Sequence, residues 1–126
     1  MTLDNTIYDG GLGVLTAETG TADLYICSQV PTTVTEANTT YKLGTKANVT
    51  ISSPADGTGV REVTVSAITD GVVDATGTAT HFAIVNGAAS VLIATGTLTA
   101  SAAVTSGNTF TLAAIDISLQ KPPTAV

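Results

Sequence analysis

The sequence predicts an all-β domain: an antiparallel β-sandwich, of jelly-roll or Ig-like type, with an extended N-terminal arm and one short helical turn. Three observations lead there. About a fifth of the residues are Thr, and β-branched side chains favour a pleated, half-buried surface. Alternating apolar and polar residues recur over Arg61–Ala67, Thr76–Asn86, Ser90–Thr97 and Thr109–Leu119. Between these segments stand the turn dipeptides Asp70-Gly71, Asn86-Gly87 and Gly107-Asn108. Short strands at spacings of about 8–12 residues, with such punctuation, indicate a sandwich or barrel rather than an α/β fold.

Residues 1–20 mix Ile7, Tyr8, Leu12, Val14 and Leu15 with polar residues in no firm period, around the glycine-rich Asp9-Gly10-Gly11-Leu12-Gly13. They read as an extended arm lying on a neighbouring subunit, with a short helix followed by a turn as the other option. Ile7, Tyr8, Leu12 and Leu15 are the interface candidates, because they are apolar without a clear place in the sheet. Ala22–Ser28 alternates as a strand, ended by Val30-Pro31 because Pro has no N–H for the ladder. Thr33 with Glu36 three residues later forms a capping-box pattern, which predicts a short helical turn over Thr33–Ala37. Ala47–Ser52 reads as a short strand and Pro54–Gly59 as a loop.

The second half reads as a meander. Val60–Ile68 alternates, with Val63, Val65 and Ala67 on one face. Asp70-Gly71 is expected to turn the chain into Val73–Thr80, a strand bulged or close-packed at Gly77. His81–Val85 is apolar enough to be central, and Asn86-Gly87 suggests a tight hairpin into Ser90–Thr95. Leu98–Val104 leads to the turn at Ser106-Gly107-Asn108, after which Thr109–Leu119 alternates once more. The domain therefore spans residues 21–121, with 122–126 as a short extended tail after Lys121-Pro122-Pro123.

The chain has 126 residues, enough for one domain with its own core. That core must be built from small aliphatic residues, since only five residues are aromatic. Less area buried per side chain means less stabilisation per residue, at about 25 cal/mol per Å2, so further burial between subunits is expected. The net charge is −6, with four basic residues. An acidic chain without a basic stripe is not a nucleic-acid binder, and its hydropathy argues against a disordered acidic tail. Few charges together with positive hydropathy suit a surface covered by partners. No basic n-region, apolar h-region or membrane-length apolar run is visible, so assembly in a cytoplasm is expected.

The residues that carry chemistry are few and scattered. Cys27 is the sole cysteine and reads as a small buried hydrophobe. His81 is the sole histidine, so no zinc ligand set exists. No Ser sits in a nucleophile elbow, and Gly10-Gly11-Leu12-Gly13 lacks the Lys-Ser/Thr of a phosphate loop. Asp70 and Asp74 read as turn carboxylates rather than a calcium loop. Lys42 and Lys46 read as solvated charge. No catalytic residue, cofactor or metal is expected.

From Leu24 to Leu119 the order of signals resembles small structural proteins of tailed bacteriophages. The most specific pieces are Gly77-Thr78-Ala79-Thr80-His81-Phe82-Ala83 and Val104-Thr105-Ser106-Gly107-Asn108. Leu24–Thr33, Arg61–Val65 and Leu92-Ile93-Ala94 add to them. The resemblance implies a virion component with no enzymatic role. It would be a capsid decoration (cement) protein on the outer face of a head, a homotrimer at local threefold positions whose partners are the major capsid protein and itself. A tail, collar or fibre component is the alternative within the virion. A host-surface glycan-binding module is the alternative outside that class.

Overall fold

The computed structural model describes residues 5–120, with side chains from residue 9 onward. The fold is all-β and antiparallel, in two sheets. The elements run α1 (Asn5–Thr16), β1 (Asp23–Cys27), β2 (Lys42–Lys46), β3 (Ala55–Gly57), β4 (Val60–Val65), β5 (Ile68–Val73), β6 (Gly77–Val85), β7 (Leu92–Val104), β8 (Thr109–Leu112) and β9 (Ile115–Gln120). Six strands form one sheet in the order β7-β6-β1-β2-β5-β8, and three form the other in the order β3-β4-β9.

The main core lies between the sheets. Leu24 and Ile26 of β1, Val63 and Val65 of β4, and Ile84 of β6 are almost wholly buried there. Alternation explains these residues: Leu24 pairs with Ile84 and Ile26 with Phe82 on one face. Tyr25 and Cys27 point to the other face, and there they meet Ala83 and Val85 in a second small core. The segment between β1 and β2 covers that second core.

The covering segment contains the expected helical turn. Ala37 N–H donates to Thr33 O at 3.1 Å, and the chain then widens into a π-turn over Glu36–Thr40, closed by Tyr41 N–H to Glu36 O at 2.8 Å. Thr33 Oγ1 accepts from Glu36 N–H at 3.1 Å, as the capping pattern requires. The return half of the box shifts by one residue. The Glu36 carboxylate takes the N–H and hydroxyl of Thr32, at 2.9 and 2.7 Å.

Several expectations need correction. Residues 5–16 form a helix instead of an extended arm. Three glycines, Gly10, Gly11 and Gly13, weaken it, at about 1 kcal/mol each relative to Ala. Tertiary contacts override that cost: Leu12 and Leu15, three residues apart on one face, join the main core at 2% and 7% exposure. Burying each is worth about 1.5–3 kcal/mol.

Asp70-Gly71 does not turn the chain but lies inside β5. Asn86-Gly87 opens a longer loop, in which Asn86 Oδ1 accepts from Ser90 and Val91 N–H at 2.8 and 3.0 Å and Ala89 takes φ 54°. Ala47–Ser52 is reduced to one bridge, Ile51 to Val65. The segments Ser90–Thr95 and Leu98–Val104 are one strand, β7.

Two expected strands each divide between the sheets. Val60–Ile68 becomes β4 and β5, broken at Ser66-Ala67, and Thr109–Leu119 becomes β8 and β9, broken at Ala113-Ala114. The two crossings are neighbours, because Val65 pairs with Ile115 and Ile68 with Leu112. Apolar alternation continues through both breaks because both sheets face the same core.

β7 and β8 lie at opposite edges of the six-stranded sheet, yet only Thr105–Asn108 connects them. The five steps from Val104 to Thr109 reach at most about 18 Å, so the sheet must curl until its edges approach. Gly107, at φ 90°, makes the turn, and Gly107 N–H donates to Val73 O at 3.0 Å.

Candidate functional surface

Most described ionisable side chains are engaged in ion pairs or hydrogen bonds within the chain. Arg61 on β4 reaches Asp9 of α1 through Nε at 2.8 Å and Nη2 at 3.2 Å, and Asp56 of β3 through Nη1 at 3.2 Å. This bidentate pair fixes the helix to the three-stranded sheet. The Asp9 carboxylate, followed by that of Asp56, raises the Arg61 pKa. Lys46 pairs with Asp70 at 3.0 Å and Lys42 with Asp74 at 3.5 Å, across the β2–β5 face. The two lysines are thus internal ion-pair partners rather than free solvated charges.

Glu18 ties two loops together, accepting from Thr21 Oγ1 at 2.8 Å and Gly87 N–H at 3.1 Å. Asp116 accepts from Thr64 Oγ1 at 2.9 Å across the β4–β9 pair. Among the described residues no group of three or more His, Cys, Asp or Glu is arranged to hold a metal, and no buried polar side-chain atom lacks a partner.

Cys27 and His81 are neighbours across the β1–β6 ladder. Burial pushes the Cys27 thiol up to about 11, and its Sγ donates to Ala37 O at 3.7 Å. His81 Nδ1 lies 2.8 Å from Thr80 Oγ1, whose single hydrogen goes to Ser28 O at 3.0 Å. Nδ1 therefore carries a proton in this arrangement. Tyr25 is buried with its hydroxyl 3.4 Å from Asp23, and burial followed by the Asp23 charge raises its pKa. These contacts hold the outer face of the sheet together.

The interface candidates from the sequence do not gather into one surface. The side chains of Ile7 and Tyr8 lie outside the described residues. Leu12 and Leu15 are buried in their own chain and leave almost no area for a neighbour. Sequence reasoning overlooked another surface. Between Asp74 and Asp116 there is no Asp, Glu, Lys or Arg, and this span forms β6, β7 and β8. These three strands therefore present no carboxylate, lysine or arginine of their own, although the chain carries −6. A plot of charge against position would have revealed it.

β7 borders this surface as an edge strand. Thr95, Thr97 and Thr99 are exposed along it, as is Val91 just before it at 51%. Where the curled edges approach, a cleft of about 330 Å3 opens, lined by Phe82, Leu98, Thr99, Thr111, Leu112 and Ile115 among others. Its walls are methyl groups, one ring and hydroxyls. Such a site can accept apolar side chains or a strand edge, but it carries no group suited to proton transfer. Comparison with family models, with curated proteins and with solved structures finds no match to this chain.

Proposed function

We propose that this chain is a structural protein of a bacteriophage virion, and within it a capsid decoration (cement) protein that stabilises the head by bridging capsid subunits. The uncharged β6–β7–β8 surface carries this reading. The described cations are spent on ion pairs within the chain, so neighbours are offered backbone and apolar contacts rather than charge. Many weak contacts of this kind, acting together on one shell, give a strong attachment. The resemblance to phage structural proteins adds support, since its most specific segment, Gly77–Ala83, lies in β6.

In this reading the partners are the major capsid protein and further copies of the chain. The place is the outer surface of a head assembled in a host cytoplasm, and the role involves no catalysis. A tail or collar position would use the same surface with fewer copies. Glycan binding is disfavoured because, among the described aromatic side chains, Tyr25 and Phe110 are buried and Tyr41 and Phe82 are half-buried.

The test is the number of copies per purified particle, measured against the major capsid protein. A number comparable with that of the capsid protein supports the head position. A handful of copies moves the chain to the tail or collar, and absence from the particle overturns the virion reading.

A further inference from the structure

We propose that two copies of this chain pair antiparallel through the Ala94–Leu98 edge of β7, about a two-fold axis normal to the sheet. β7 is hydrogen-bonded to β6 on one side, with His81 to Thr97, Phe82 to Gly96, Ala83 to Thr95 and Ile84 to Ala94 in unbroken register. Its other side has no strand partner among the described residues. Beyond Thr97 the register slips before Ala102, and β7 turns toward the cleft and β8. The regular, open part of the edge is thus short and well defined. Natural edge strands are usually blunted by Lys, Pro or an inward charge, and none of these occurs between Leu92 and Val104.

Electrostatics selects the occupant. Two copies each at −6 repel wherever their carboxylates approach. The side built from β6, β7 and β8 is where they can meet without opposed charges. A basic partner would instead be drawn to the acidic remainder of the surface.

The strand is also self-complementary. A two-fold axis normal to a sheet sets each residue opposite one of equal parity. With the axis at Gly96, Thr95 of one copy faces Thr97 of the other on one side of the sheet. Ala94 faces Leu98 on the other side. Threonine pairs across an antiparallel ladder are favourable, and Gly96 brings no side chain to the axis. The same operation carries each exposed Val91 toward the other copy's cleft.

Sedimentation equilibrium of the full chain, from low to high micromolar, tests the pairing. The expected result is a reversible monomer–dimer equilibrium. Thr97→Lys should weaken it at least about tenfold, by setting like charges beside the axis. Thr58→Lys, in the exposed turn between β3 and β4 of the other sheet, should leave it unchanged. Thermal melting of both variants checks that the fold persists. A monomer at every concentration, a trimer, or a dimer indifferent to Thr97→Lys overturns the pairing. This outcome is independent of the copy number per particle, so the virion reading and the edge pairing can fail separately.

Discussion

The ring of Phe110 fills the space that a side chain at Gly71 would occupy. The two residues are directly paired across β5 and β8, and a Cβ on Gly71 would lie well under 3.0 Å from the ring. The chain's other phenylalanine repeats the arrangement, with Phe82 paired to Gly96 across β6 and β7 and crowding its Cβ position in the same way. A core of small aliphatic residues thus seats each of its two large rings on a glycine. The ring covers backbone that the glycine leaves bare.

Gly71→Ala should therefore cost about 2–3 kcal/mol through overpacking, although its backbone is ordinary for a strand. Phe110→Ala should cost about 3–5 kcal/mol. The double variant should cost clearly less than the sum, because the clash and the ring disappear together. Urea unfolding of the four proteins measures this coupling. Additive losses would mean that the ring does not lie over the glycine.

These glycines mark the limit of what the sequence discloses. Alternation is local, so it located β1, β4 and β6 and gave the fold class. Asp-Gly is a local turn signal, but Phe110, far along the chain, decides that Gly71 stays in a strand. The helix was hidden for the same reason: three glycines argue against it, and its support comes from Arg61, which is 52 residues from Asp9. The crossings at Ser66-Ala67 and Ala113-Ala114 were invisible because the apolar pattern continues through them. The uncharged surface was legible in the charge distribution. The cleft was not, since it depends on the curl of the sheet.

Arg61 and Asp9 should behave as a clamp on α1. Asp9→Asn and Arg61→Met should each lower the melting temperature, and the loss should shrink as salt is added to the wild type, because screening weakens the same pair. Far-ultraviolet circular dichroism should report a loss of helical signal before the sheet melts. Leu12→Ala removes the apolar half of the docking and should cost about 2–5 kcal/mol. A helix that survives both kinds of change would show that it is held elsewhere.

Glu36 should make part of the stability depend on pH. Hydrogen bonds from Thr32, side chain first and then backbone, hold its carboxyl below the ordinary 4.5. The folded chain therefore favours the ionised form. That stabilisation is complete above about pH 4.5 and is lost as pH falls through the lowered value. Glu36→Gln should reduce the urea midpoint at pH 7 and leave it close to the wild type at strongly acidic pH. An equal deficit at both pH values would mean that the carboxylate charge contributes nothing.

Cys27 should be silent in the native protein and reactive only on opening. The thiol is fully buried, and burial raises its pKa from 9.0 to about 11. Two units leave about a hundredfold less of the reactive thiolate at a given pH, before access is considered. Labelling with iodoacetamide at pH 8 should therefore be at least about a hundredfold slower in buffer than in urea. Ala37→Gly, which loosens the turn covering the thiol, should accelerate native labelling more than its effect on global stability accounts for, because local opening of that turn suffices to expose the sulfur. Prompt labelling of the folded wild type would mean that the π-turn does not close over β1.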